Sequence, residues 1–215
     1  MTFSFLISSP MVNEVALGML WLMFGWKIAL IYIASGVLIA IFAGIILGRL
    51  KLEHLVEEYV YQINLPQHDG EAGEQPLLWK DRVSQSVDYT AGILKKVWIW
   101  VLVGIAVGAA MHGYVPAGFL VQYAGAANPL AVPLAVIIGI PLYSNAAGMI
   151  PIVEELVRTG MAMGTALAFM MAVTALSLPE AIILKQVLKP KLLAIYFGIV
   201  GISIICIGYL FNIIL

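Results

Sequence analysis

The chain has 215 residues, 62% of them hydrophobic and 11% charged, with a mean hydropathy of +1.02. That composition excludes an ordinary soluble domain, in which about half the residues are apolar and about a quarter charged. A net charge of −1 gives no footing for nucleic-acid binding, and a lone cysteine, Cys206, excludes an internal disulfide or a cysteine-rich metal cage.

The expectation is therefore an all-α, polytopic integral membrane protein, with about five or six membrane segments of the length a bilayer demands. Residues 1–9 are apolar but too short to span, and no basic run precedes them as in a cleaved leader. Residues 12–24 form a helix candidate opened by Asn13 and Glu14, where an acidic side chain suits a helix N-terminus. Residues 28–48 are long enough to cross, and Arg49 and Lys51 stop them. Residues 1–48 thus read as N-terminal membrane segments.

Residues 49–96 are the extended polar region. Leu52, Leu55, Val56, Tyr59 and Val60 fall at helical spacing opposite Glu53, Glu57 and Glu58, which predicts an amphipathic helix. Pro66, Asp69, Gly70 and Gly73 predict a loop over 64–75, and a second helix should start near Lys80 and run into Trp98. His54 and His68 read as solvated.

Residues 97–215 read as a C-terminal membrane domain. Residues 97–111 cross, anchored by Trp98 and Trp100. Residues 118–128 read as interfacial or re-entrant, and 129–140 enter the membrane again. Residues 180–188 suggest a short helix ending in Lys185 and Lys189, and 190–215 are the final span, with Cys206 as a small packing residue. Six of the eleven basic residues lie in 49–96 and three more in 185–191, so both regions are expected on the cytoplasmic side of the cell membrane.

Residues 141–179 carry the candidate chemistry. They are apolar, yet Pro141, Gly148, Pro151, Gly160 and Gly164 interrupt them, and Tyr143, Ser144 and Asn145 stand between two prolines. Backbone that leaves a helix at membrane depth must be covered by protein or line a wet cavity, and transporters build midplane sites from such broken helices. Tyr143, Ser144 and Asn145 are therefore candidate solute-binding residues. Glu154 and Glu155 are placed in the first turns of a helix opened by Pro151, with Glu154 spaced for an ion pair to Arg158. Glu154 facing a cavity is a candidate proton or cation site, because intramembrane charge is costly and usually functional. Met149, Met161, Met163, Met170 and Met171 suit flexible packing better than thioether ligation. Gly160 and Gly164 have the spacing of close helix packing.

Residues 4–13 echo residues 168–177: each places a small residue and Phe before an apolar run, then small polar residues, then a side chain able to cap a helix. Transporters commonly carry such internal repeats. The echo makes Ser8, Ser9 and Asn13 candidates from the first copy, and Ser177 and Glu180 from the second. It also leaves the counterpart of 141–164 upstream of this chain, an expectation that makes it one half of a permease.

These residues resemble the ArsP-type predicted permeases, which include organoarsenical and metal efflux proteins. The second family motif is matched by Pro141-Leu142-Tyr143, Pro151-Ile152, Leu156, Gly160, Gly164, Ala168-Phe169 and Ser177-Leu178-Pro179-Glu180. Phe5-Leu6-Ile7-Ser8-Ser9-Pro10 and Asn13 match the end of the first. Members usually carry a Pro-x-Cys-Ser-Cys-type segment in the first repeat, and this chain has none. The resemblance implies a permease or permease half that exports a small inorganic or organometal solute by a secondary mechanism, without cofactor, in a homo-oligomer or with a companion half. Two other classes compete: a non-transporting membrane subunit and an intramembrane enzyme. HExxH, GxSxG and phosphate-loop patterns are all missing from the sequence, and a Glu154-Glu155 protease motif would have Arg158 one residue early.

Overall fold

The computed structural model describes residues 2–50, 52–57 and 128–215, and single helical positions between 79 and 106. Helix α1 (Thr2–Met11) runs through Pro10 and is followed by a break at residues 12–13. Asn13 then opens α2 (Glu14–Phe24), its side chain accepting from the Ala16 N–H at 2.9 Å. The two helices are bent by 43° at the break. Gly25 turns the chain into α3 (Trp26–Arg49).

Here the structure corrects an expectation. Leu52–Leu55 is one turn of 3-10 helix, not the start of an amphipathic α-helix. Val56 instead makes an isolated antiparallel bridge to Leu188, and the flanking N–H groups of Glu57 and Lys189 donate to Val187 and Leu55 carbonyls, each at 2.9 Å. Satisfying backbone across to residues 187–189 outweighs the local periodicity. The loop expected at 64–75 and the re-entrant piece at 118–128 lie outside the described residues, except Asn128. In the second helix and third span expected from the sequence, Trp79, Val83, Val87, Lys95, Trp98, Leu102 and Ala106 are helical.

The C-terminal part contains α4 (Ala131–Gly139), α5 (Ala146–Arg158), α6 (Met163–Ala175), α7 (Leu178–Leu184) and α8 (Pro190–Ile214). Helix α6 is the centre: every residue from Gly164 to Ala175 is buried, and α1, α4, α5 and α8 pack around it. Among the described residues, three spans are long and apolar enough to cross a membrane, α3, α6 with α7 (Met163–Leu184) and α8, or up to four if the bent α1–α2 pair is one. The protein is polytopic and, in its described residues, helical.

Aligning the helix cap Asn13 with the cap Ser177 matches α1–α2–α3 to α6–α7–α8. The same spacing sets Tyr32 on Tyr196 and Gly44 on Gly208. These glycines do equivalent work. A side chain at Gly44 would collide with Ser4 of α1, and one at Gly208 would come within 2.8 Å of Ala168 in α6. Ser4 and Ala168 are themselves partners in the alignment. Small residues let each long helix approach its broken partner, the usual basis of helix association in lipid. The echo seen in the sequence is thus a repeat of packing, not of residue types alone.

Three local expectations are also corrected. Helix α5 opens at Ala146, capped by Asn145, so Pro151 lies inside it and the glutamates sit towards its end. Gly160, at φ 106°, ends that helix: its N–H donates to Val157 O and that of Met161 to Leu156 O, a Schellman turn. Gly160 therefore makes no helix-packing stripe with Gly164, whereas Gly164 does meet Gly208 and Asn212. The short helix expected over 180–188 is α7, which begins two residues earlier, directly after its cap Ser177, and ends at Leu184.

Candidate functional site

Three interruptions of helix border one cavity of about 430 Å³, within the usual range of small-molecule sites. The α1–α2 break contributes Leu6, Ser9, Pro10 and Asn13. The irregular segment between α4 and α5 contributes Tyr143, Ser144 and Asn145, followed by Ala146. The α6–α7 break contributes Thr174, Pro179, Glu180, Ile183 and Leu184.

The caps decide which polar atoms remain for a solute. A helix N-terminus presents N–H groups with no partner in the helix, so a capping carboxamide must offer its oxygen. Asn145 Oδ1 accepts from the Gly148 N–H at 2.6 Å, as Asn13 Oδ1 does from Ala16. In both residues the amide NH2 is left over as a donor. Gly148 suits this arrangement, since a Cβ there would crowd both Asn145 Oδ1 and Ser144 Oγ at 3.0 Å. The positive ends of α2 and α5 add to the donor character. Facing them, Glu180 is the one ionisable carboxyl among the described residues of the lining, which include no Lys, Arg or His. Thr174 Oγ1 donates back to the Met170 and Met171 carbonyls of its own helix, at 3.0 and 3.1 Å.

Of the residues singled out in the sequence, Ser9, Asn13, Tyr143, Ser144, Asn145 and Glu180 meet at this cavity, and Ser8, Ser177 and Glu154 are not in its lining. Ser8 donates to the Phe5 carbonyl at 3.2 Å. Ser177 is fully buried and accepts from the Glu180 N–H at 3.4 Å. Glu154 is exposed on α5. The expected Glu154–Arg158 pair is replaced by a bidentate one: Arg158 donates to both Glu155 oxygens at 2.8 Å. That guanidinium holds the Glu155 carboxyl below its usual range. An i,i+3 pair so exposed contributes little to stability.

Thr174 went unread in the sequence. Its signal was a hydroxyl near the end of an apolar helix, at the repeat position of Pro10. Cys206 is exposed on α8 rather than packed. Met149, Met161, Met170 and Met171 are buried in the core and take no part in the lining. Among the described residues, no three His, Cys, Asp or Glu side chains come together.

The ArsP_1 family, described as predicted permeases, matches residues 1–213 of the chain. The chain belongs to this family. It is also similar to the UPF0718 protein MJ0584 of Methanocaldococcus jannaschii, 32% identical over 124 residues, which are 57% of this chain and 34% of that relative. The matched stretch thus spans about a third of the relative's length. No solved structure matches. The matched residues include all those that line the cavity, and residues 141–184 supply two of its three walls.

Proposed function

We propose that this ArsP-type chain forms the solute pathway of a cell-membrane permease, with the cavity between the three helix breaks as its binding site. The observation that carries this reading is the convergence itself: polar residues from breaks distant in sequence border one space in an otherwise apolar helical protein. Such breaks are tolerated at membrane depth only where protein or water covers the backbone. The cargo is a small inorganic or organometal solute with hydrogen-bond acceptors, matched to the amide donors of Asn13 and Asn145. Export is secondary, driven by an ion gradient, in keeping with a sequence that carries no phosphate loop. A second copy or a companion permease half completes the assembly, a proposal motivated by a relative much longer than the matched stretch.

Flux tests the reading. Inside-out vesicles carrying this chain should accumulate methylarsenite under an imposed pH gradient without ATP, and vesicles lacking it should not. No accumulation of it, of arsenite or of inorganic phosphate, with or without a companion chain, would favour a non-transporting subunit.

The proposed orientation puts 49–96 and 185–191 in the cytoplasm, where most of the basic residues gather. A reporter attached near Gly70 should be active only on the cytoplasmic side. Activity confined to the outside would reverse the topology without touching the cavity.

A further inference from the structure

The three walls of the cavity differ in what they offer a solute. Asn13 and Asn145 each give an oxygen to a backbone N–H and keep an amide NH2 as donor. Ser9, Tyr143 and Ser144 add hydroxyls, each able to donate and to accept. Glu180, on the third wall, adds carboxyl oxygens, strong acceptors of a hydroxyl hydrogen. Donors and acceptors thus stand on different walls, and a matching solute must carry both.

Two kinds of solute lack their usual partners here. An oxyanion is held by Lys or Arg, or by bare N–H groups at a helix start. The described residues of the lining include no Lys, Arg or His. Each helix start turns a first-turn N–H to its own cap: Ala16 to Asn13, Gly148 to Asn145 and Glu180 to Ser177. The Glu180 carboxylate also repels an anion. A soft metal or metalloid is held by sulfur. The chain's one cysteine, Cys206, is exposed on α8, and the described residues of the lining include no Met.

We propose that the cavity takes an uncharged solute with more than one hydroxyl, held by hydrogen bonds rather than by charge or sulfur. This rests on the permease reading above and narrows its cargo. One solute hydroxyl donates to Glu180, and the oxygens of the others accept from the Asn13 and Asn145 amides. Such a solute needs no fixed countercharge in the membrane interior, where an unpaired charge is costly. Leu6, Ile183 and Leu184 border the same space and suit an apolar substituent on it.

The test is isotope exchange in liposomes carrying the whole chain, which needs no driving gradient. Boric acid is the probe: at neutral pH it is uncharged, bears only hydroxyl groups and has no affinity for thiols. Phosphate and cadmium(II) stand for the anion and the soft metal. Boric acid should exchange about tenfold faster than through protein-free liposomes, and phosphate and cadmium no faster than through them. Asn13→Asp discriminates further, because aspartate caps α2 as asparagine does but replaces the amide donor by an acceptor. A hydroxylated solute turns an O–H towards it, so boric acid exchange per inserted molecule should stay within about threefold of the parent. Glu180→Gln exchanges a charged acceptor for a neutral one and should slow boric acid about tenfold.

Phosphate or cadmium exchange at or above the rate of boric acid, or loss of boric acid exchange in Asn13→Asp, would overturn the proposed solute class. So would a chain that accumulates methylarsenite but exchanges no boric acid, since recognition would then lie with the metalloid itself. In each case the permease reading stands. No flux of any of these solutes would overturn that reading, and this inference with it.

Discussion

Asn145→Leu is expected to cut transport about 100-fold per molecule in the membrane, from two losses that add. Removing the cap costs about 0.5–2 kcal/mol at the start of α5. Losing the amide donor removes a solute hydrogen bond of about 0.5–1.5 kcal/mol and leaves an apolar side chain in its place. Asn145→Ser separates the two effects, because serine keeps an oxygen for the Gly148 N–H but has no amide. It should keep the cap, so that transport per inserted molecule is only about tenfold down. Met170→Leu is the control: Met170 is fully buried in α6, away from the cavity. A volume-conserving core exchange of this kind costs less than about 1.5 kcal/mol. Flux normalised to membrane-inserted protein reads all three. Full transport in Asn145→Ser would make Asn145 a structural cap and shift the binding role to Asn13 and Glu180.

Much of this site was legible because its signals are local. Polar residues between prolines in an apolar run mark a broken helix whatever surrounds it, and the structure leaves residues 141–145 non-helical. Asn13 and Ser177 read as caps because a short side chain with an oxygen before an apolar helix has few other roles. What failed depended on choices between neighbours. Pro151 has a strong preference for a helix start, but Asn145 lies upstream with a better acceptor, and the helix opens there. Glu154 and Glu155 both stand within reach of Arg158 by spacing alone, and the turn of the helix selects Glu155. Leu52–Val56 had the right periodicity for a helix, but residues 187–189 offered backbone partners that no local pattern reveals.

The repeat was only half visible for a related reason. Its sequence trace over residues 4–13 and 168–177 is a pattern of size and polarity with Pro10 opposite Thr174. Its physical content lies further along, in Gly44 and Gly208 and in Tyr32 and Tyr196. Those positions carry meaning only when the long helices are known to press on the broken ones. Thr174 escaped notice in the same way, since a threonine whose hydroxyl bonds its own helix looks satisfied until the helix is seen to end at a cavity.

The central claim is that water reaches the space between the breaks, inside a protein whose outer faces meet lipid. Thiol labelling tests it without knowledge of the solute. In a Cys206→Ser background, Ser9→Cys and Ser144→Cys place thiols on two walls of the cavity, and Leu22→Cys places one on the apolar surface of α2, where Leu22 is 87% exposed. A charged, membrane-impermeant maleimide should label the first two and not the third, which should react only with a lipid-soluble maleimide. Labelling of Ser9→Cys and Ser144→Cys by the lipid-soluble reagent alone would contradict the account, because the cavity would then be a gap filled by lipid and not a path for a solute.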